Sequence, residues 1–170
     1  MAWHCLEPAD ASVFDSATHL FRFPIKLPVP PARVWESLAS DRSLAAWPLG
    51  RGLYLDLHWT SPRPFGTGTT RQVTLPLRLC TLRESFFRWD EGKGYSFYAE
   101  AVNRPGLRRF AEDYVLQTTA AGTLLTWTVA LEPAPRAART LQLAAPLVRL
   151  AFGRTAAAAT RYFAQPPPAS

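Results

Sequence analysis

The longest regular pattern of apolar positions runs from Pro135 to Gln165, close to the end of the chain. Alanine, leucine and arginine, which are strong helix formers, make up most of this segment. Mostly small or apolar residues recur in it at steps of three and four: Leu141, Ala144, Val148, Phe152, Thr155, Ala159 and Tyr162. This spacing places them on one face of a helix of roughly 40 Å. Pro146 and Gly153 predict that the helix bends or divides into two collinear pieces.

Most of the preceding chain has an apolar period of two, which predicts β-strands. In the segment 19–29, Phe21, Ile25 and Leu27 alternate with mostly polar positions, and Pro24 indicates a sheet edge or an irregularity. Two short helices follow over 31–39 and 42–47, and Asp41 is expected to cap the second. Six further strands are predicted over 52–59, 69–77, 79–89, 95–102, 107–118 and 123–131.

Short clusters of turn-forming residues separate the later strands, at 90–94, 103–106 and 120–122. Because consecutive strands joined by short turns run in opposite directions, we expect an antiparallel sheet. One strand, two short helices, six strands and one long helix predict an α+β fold with a curved sheet of about seven strands. The long helix is the one element large enough to cover the concave face of that sheet.

The turns also predict which side chains face the helix. A last hairpin centred on residues 120 and 121 places Tyr114 opposite Trp127, and directly opposed residues share a face. A preceding turn centred on residues 104 and 105 brings Tyr95 and Phe97 to that face, whereas a one-residue slip would bring Tyr98. The candidate ligand contacts on the sheet and the helix are Leu55, Leu57, Trp59, Tyr95, Phe97, Phe110, Glu112, Tyr114, Leu125, Trp127, Val148 and Phe152. Leu53, Ala99 and Val129 are predicted to point the same way.

Glu112 is the strongest candidate for chemistry on the inward face. A carboxylate among aromatic side chains is costly to bury unless it is paired or protonated. Desolvation would raise its pKa, which suits a general acid or base, and in that role Tyr114 is its best partner. Glu112 could equally accept a hydrogen bond from a ligand hydroxyl or amine. Two other interpretations stay open: Glu112 pairs with an arginine such as Arg83 or Arg109, or it lies in water at the cavity mouth.

Composition narrows the classes of function. The 170 residues suit one domain, and a hydrophobic content of 48% argues against disorder. The formal charge of +6 comes from scattered arginines rather than a basic run, so we do not expect nucleic-acid binding. No segment is apolar for long enough to predict stable membrane insertion, and residues 1–10 contain no apolar run typical of a secretory signal. We therefore expect a cytoplasmic protein.

The chain has no pattern typical of a metal or cofactor site. Its two cysteines, Cys5 and Cys80, form no CxxC pair, and its histidines are widely spaced. The phosphate-binding, dinucleotide-binding and nucleophile-elbow motifs are also missing from the sequence. We expect neither a metal nor a cofactor.

Three segments resemble a known family. They are Val-Pro-Pro-Ala-Arg-Val-Trp-Glu-Ser-Leu at 29–38, Trp-Pro at 47–48 and Gly-Thr-Leu-Leu-Thr-Trp-Thr at 122–128. Over roughly residues 18–165 the chain resembles the START-like, or SRPBCC, superfamily, in its polyketide cyclase/dehydrase and lipid-transport branch, whose relatives include Bet v 1-type proteins. The resemblance implies a helix-grip fold with a cavity for a hydrophobic ligand. It implies no shared set of catalytic residues.

These observations predict an N-terminal extension at 1–16, a ligand-binding domain at 17–165 and a proline-rich tail at 166–170. The first functional hypothesis is a carrier or sensor that binds a hydrophobic small molecule or lipid. The second is a cyclase- or dehydratase-type enzyme that uses Glu112 and Tyr114. The third is an accessory domain whose core is filled by its own aromatic side chains and which binds a protein partner. The oligomeric state stays open.

Overall fold

Residues 2–49 and 53–165 are described by a computed structural model. Their helices and strands are, in chain order, β1 (His4–Cys5), α1 (Val13–Ser16), β2 (His19–Leu27), α2 (Pro31–Leu38), β3 (Asp56–Trp59), β4 (Thr70–Thr74), β5 (Thr81–Asp90), β6 (Gly94–Val102), β7 (Leu107–Thr119), β8 (Gly122–Pro133) and α3 (Ala138–Phe163). Three 3₁₀ turns lie at Ser43–Ala46, Pro76–Arg78 and Pro135–Ala137. From β2 onward this is the predicted α+β order.

The strands form one antiparallel sheet in the order β2-β8-β7-β6-β5-β4-β3, with β1 added beside the end of β6. The edges of this order are β2 and β3. Pro24 lies in β2, so its predicted edge position is confirmed, and an edge strand tolerates the missing N–H. With α3 lying across the inner face, the molecule has the predicted helix-grip fold.

The predicted pairing of the last strands is confirmed. Tyr114 lies opposite Trp127 and Glu112 opposite Val129, as a hairpin centred on residues 120 and 121 requires. Between β6 and β7, Tyr95 lies opposite Tyr114 and Phe97 opposite Glu112. These registers bring one apolar and aromatic face together on three neighbouring strands.

The helix α3 is continuous over 26 residues and passes through both Pro146 and Gly153, so of the two predicted alternatives the structure has one long helix and not two pieces. Packing against the sheet holds the helix together where the proline removes one ladder hydrogen bond. Phe152 illustrates this packing, since its ring centroid lies 6.1 Å from that of Phe21 and 5.6 Å from that of Trp127.

The segment between α2 and β4 departs from the sequence prediction. The strand predicted over 52–59 pairs with β4 only from Asp56 onward, because β4 ends at Thr74 before the Pro76–Arg78 turn. Leu53, predicted to face inward, is therefore 40% exposed, and Gly52 lies outside the described residues. Asp41 does not cap the Ser43–Ala46 turn; instead its carboxylate accepts a hydrogen bond of 2.7 Å from Arg63.

The first residues pack against the outer face of the sheet. Val13 of α1 is buried against Ala111 and Ala130, which lie on the side of the sheet away from α3. The Phe14 ring stacks on Phe87 at 6.3 Å, and the Arg83 guanidinium lies 4.1 Å from the Trp3 ring centroid. The division into an extension and a domain at residue 17 stays a prediction.

Candidate functional site

A cavity of about 430 Å³ lies between the inner face of the sheet and α3. Its α3 wall consists of Thr140 and the predicted helical stripe from Leu141 to Thr155. The strand walls carry mostly apolar side chains, together with one basic and two acidic ones: Arg71, Glu84 and Glu112. The volume falls within the roughly 300–1,000 Å³ typical of small-molecule sites.

The other end of the interior is filled by an aromatic cluster, formed by Trp35, Trp59, Phe65, Phe86, Trp89 and Tyr95. Its closest ring pair is Trp59 and Phe65, with centroids 4.0 Å apart. At this end of the interior the core is therefore filled by its own aromatic side chains, as the third hypothesis expects. The cavity occupies the remainder of the interior.

The predicted ligand contacts divide between these two regions. The cavity is lined by Leu55, Phe97, Phe110, Glu112, Tyr114, Trp127, Val148 and Phe152. Trp59 and Tyr95 belong instead to the aromatic cluster, in which Trp59 stacks on Phe86 and Tyr95 on Trp89. Leu125 is completely buried in the core, and Leu57 is half-buried on the edge strand β3.

Glu112 is held by two hydrogen bonds to one of its oxygens. The Tyr114 hydroxyl donates to Oε2 at 2.8 Å, and Trp127 Nε1 donates to the same atom at 2.9 Å. Within the described part of the chain, Oε1 accepts no hydrogen bond and is not fully enclosed. Because Glu112 lines the cavity, this oxygen is an acceptor that the site offers to a ligand.

Burial raises the pKa of Glu112 to about 7, and the negative charge of Glu84 adds to the rise. The hydrogen bonds from Tyr114 and Trp127 and the charge of Arg71 oppose the rise, because they favour the ionised form. The pKa of Tyr114 is raised well above its ordinary value by burial and by the adjacent Glu112. Tyr114 therefore stays protonated and acts as a hydrogen-bond donor at neutral pH.

A buried ion pair that the sequence analysis missed lies beside Glu112. Arg71 Nε donates to Glu84 Oε2 at 2.6 Å, and both side chains are almost completely buried. Burial would lower the pKa of Arg71, but the Glu84 carboxylate raises it above its ordinary value, so the guanidinium stays charged. Burial raises the pKa of Glu84, and Arg71 opposes that rise. One signal was available in the sequence: a hairpin centred on residues 77 and 78 places these two residues opposite each other.

Aromatic rings surround the Arg71 guanidinium. Its carbon lies 4.6 Å from the Phe97 ring centroid and 4.9 Å from that of Phe86. Its Nη1 donates to the Ser43 hydroxyl at 3.3 Å, whereas its Nη2 and the hydroxyl of Tyr95 are buried without a hydrogen-bond partner in the described chain. Arg71 therefore lies between the cavity and the aromatic cluster. Its positive charge neutralises that of one of the two nearby carboxylates.

The arginines proposed as partners of Glu112 lie elsewhere. Arg83 contacts Trp3, and Arg109 forms ion pairs with Glu7 at 2.9 Å and Glu132 at 3.6 Å. Neither side chain lines the cavity. Glu112 is also not at the solvent boundary, since it is only 6% exposed. The structure therefore favours the interpretation in which Glu112 faces the cavity.

The cavity reaches the protein surface near the start of α3. Pro105 and Thr140 both line the cavity and are exposed to solvent, and Leu75 and Cys80 beside them are half-buried. The turn and the helix start are connected, because Ala134 N–H donates to the Gly106 carbonyl at 2.9 Å. We refer to this end as the cavity mouth.

Residues 2–49 and 53–165 contain no cluster of three or more His, Cys, Asp or Glu side chains suited to a metal ion. Within the same residues, no helix combines the length and hydropathy that a membrane span requires. His58 is exposed on β3, and Trp47 is buried against Phe163 with ring centroids 5.9 Å apart.

Comparison with protein families shows that residues 18–164 match the family described as polyketide cyclase / dehydrase and lipid transport. An uncharacterized protein of Mycobacterium tuberculosis is 34% identical over 148 residues, which cover 87% of this chain and 86% of that protein.

Solved structures of low sequence identity share the fold. Ara h 8.0201 has a TM-score of 0.59 at 16% identity, covering 86% of this chain and 99% of its own. A protein of Thermus thermophilus has a TM-score of 0.66 at 16% identity, with 86% and 97% covered.

Proposed function

This chain belongs to the polyketide cyclase/dehydrase and lipid transport family, and we propose that it binds one hydrophobic small molecule or lipid in the cavity under α3. The observation that supports this function is an apolar cavity of about 430 Å³ whose lining includes an uncommitted acceptor, Glu112 Oε1. Such a cavity suits a carrier or a sensor, because it can enclose an apolar molecule and orient it through one polar contact.

The charges around the cavity define the ligand further. Arg71 is already paired with Glu84, so Glu112 adds an uncompensated negative charge when it ionises. An anionic ligand such as a fatty acid would meet that charge in a site of low dielectric constant. The ligand we propose is therefore hydrophobic and carries a hydroxyl or amine that donates to Glu112.

The test of binding uses the full chain and a neutral fluorescent probe such as Nile red. Ala144→Phe places a ring in the cavity, and Ala157→Phe places the same ring on the exposed side of α3 as a matched control. We expect Ala144→Phe to weaken probe binding about tenfold or more and Ala157→Phe to leave it unchanged. Equal binding by both variants would show that the probe does not occupy the cavity.

The test of ligand class compares dodecanol with dodecanoate, which have alkyl chains of the same length and differ in the head group. Above pH about 7, where Glu112 is ionised, we expect the alcohol to displace the probe at lower concentration. Glu112→Gln removes the charge and should bring the displacing concentrations of dodecanol and dodecanoate closer together. A preference for the carboxylate in the parent protein would contradict the proposed ligand class.

A second candidate function, acid–base catalysis of the cyclase or dehydratase type, is favoured by the pKa of Glu112 near 7. Glu112 would exchange the proton, and Tyr114 would position its carboxylate by the hydrogen bond to Oε2. Native mass spectrometry of protein purified from its own source, followed by extraction, would supply the natural ligand. Incubation of that ligand with the parent protein and with Glu112→Gln then separates the functions. A carrier leaves its mass and isomer composition unchanged, whereas an enzyme converts it and the variant does not.

A further inference from the structure

The outer face of α3 has an unusual composition for a helix exposed to water. Residues 136–165 include five arginines and no aspartate or glutamate. Three leucines on the helix are strongly exposed, Leu143 by 83%, Leu147 by 70% and Leu150 by 53%. Exposed apolar side chains on this scale, grouped rather than scattered, mark an interaction surface.

These leucines form one line with two arginines. Arg139, Leu143, Leu147, Leu150 and Arg154 follow one another at steps of four, four, three and four residues, which keeps them on one side of an α-helix. We call these five residues the outer stripe. It lies opposite the stripe that lines the cavity, so α3 is apolar on two faces and carries positive charge at both ends of the outer one.

A second exposed apolar feature lies beside the cavity mouth. Leu77 is 82% exposed and Leu79 is 61% exposed, and Arg78 lies between them. Leu77 and Arg78 have φ angles of 59° and 53°, values that are unfavourable for residues with a Cβ. Arg104 Nε also donates to the Leu79 carbonyl at 2.9 Å, which ties this loop to the turn before β7. The backbone therefore holds two leucines out in water next to an arginine.

We propose that the outer stripe and the Leu77–Leu79 loop dock the protein on the surface of an anionic phospholipid membrane. Leucines that reach the acyl boundary and arginines that meet lipid phosphates are the two contributions that hold interfacial helices on membranes. In this arrangement α3 lies along the bilayer surface and the protein stays peripheral. Docking near the cavity mouth would let a hydrophobic ligand pass between the bilayer and the cavity without crossing water.

Charge favours an anionic membrane over a second copy of this chain as the partner of the outer stripe. A symmetric pairing through the outer stripe would place Arg139 and Arg154 of each copy near those of the other, with no acid on the helix to compensate. The whole chain also carries a net charge of +6, so two copies repel each other. An anionic bilayer instead offers negative phosphates and an apolar interior together.

The experiment is sedimentation of the full chain with vesicles of phosphatidylglycerol and phosphatidylcholine in equal parts, and with phosphatidylcholine alone. We expect binding to the anionic vesicles and little to the neutral ones. Leu143→Ser/Leu147→Ser should weaken that binding about tenfold or more, because the variant no longer buries these two apolar side chains in the bilayer. Both leucines are exposed, so the variant should keep the unfolding midpoint of the parent protein.

Two matched variants separate docking from simple charge attraction. Arg139→Gln/Arg154→Gln removes two charges from the outer stripe, and Arg22→Gln/Arg42→Gln removes two exposed charges from other parts of the surface. We expect the first pair to weaken anionic-vesicle binding several-fold more than the second. Equal losses in the two pairs, no effect of the leucine substitutions, or no binding to anionic vesicles would each overturn the proposal. So would a dimer in solution that the leucine substitutions convert to a monomer.

Discussion

Trp127 Nε1 donates a hydrogen bond of 2.9 Å to Glu112 Oε2 across the β7–β8 hairpin. The Tyr114 hydroxyl donates to the same oxygen, so two aromatic residues hold the carboxyl in one orientation and leave Oε1 uncommitted. The arrangement follows from the register of one hairpin, in which Trp127 lies opposite Tyr114. A carboxyl with one occupied and one available oxygen is suited to binding a donor group inside an apolar cavity.

The raised pKa of Glu112 predicts a specific pH dependence of stability. The pKa rises from 4.5 to about 7 on folding, so the folded protein binds this proton more tightly than the unfolded chain. The stabilisation is complete below pH 4.5 and is lost as the pH rises to about 7, a change of about 3 kcal/mol. We expect the free energy of unfolding of the parent protein, relative to Glu112→Gln, to fall by this amount over that range in urea titrations. A difference that increases with pH would contradict the raised pKa.

The buried pair Arg71–Glu84 predicts a large and non-additive effect on stability. Arg71→Met leaves the Glu84 carboxylate buried without its partner and should cost about 3–5 kcal/mol. The double variant Arg71→Met/Glu84→Met should recover most of that loss, because it removes both charges. A urea double-mutant cycle measures the coupling. The exposed pair Arg63–Asp41 is the control, and its cycle should give less than about 1 kcal/mol. Similar coupling in the two pairs would contradict the prediction.

Gly122 predicts a strong requirement for glycine at the β7–β8 turn. Its φ is 130°, and a Cβ at this position would lie 2.3 Å from the Leu27 carbonyl oxygen of the neighbouring strand. Gly122→Ala should therefore lower the free energy of unfolding by about 2–4 kcal/mol. Gly66→Ala is the matched control, since a methyl group there would have no atom within 4 Å, and it should change stability by less than about 0.5 kcal/mol. The prediction fails if thermal unfolding gives the two variants equal midpoints.

Pro146 predicts a substitution that stabilises the protein. The residue is exposed and lies inside the continuous helix α3, where a proline lacks the N–H of the helical ladder. Pro146→Ala should restore that hydrogen bond and raise the free energy of unfolding by about 1–2 kcal/mol. Pro135→Ala is the comparison, because Pro135 begins a 3₁₀ turn where the missing N–H costs little. A loss of stability in Pro146→Ala would indicate that the ring itself packs favourably on α3.

The parts of the fold that depend on nearby residues were predictable from the sequence. The strands β7 and β8 are joined by a two-residue turn, so centring that turn was enough to pair Glu112 with Val129 and to place Tyr114 and Trp127 on one face. The helical stripe from Leu141 to Thr155 was predictable for the same reason, since its period depends only on helical geometry. Periodicity and turn chemistry are local properties, and each specifies an element and the direction of its side chains.

The parts that depend on distant strands required the folded structure. Two irregularities interrupt the pairing of β5 with β6, with the extra residue Glu100 on β6 in the first and Phe87 on β5 in the second. A shift of one residue moves a side chain to the opposite face, so alternation along β5 did not predict that Trp89 rather than Arg88 joins the aromatic cluster. Packing also determined that the aromatic cluster fills one end of the interior while the other end stays hollow. Glu112 meets the Arg71–Glu84 pair at that hollow end because β7 and the β4–β5 hairpin belong to one sheet that curves around α3, a long-range arrangement that no local pattern encodes.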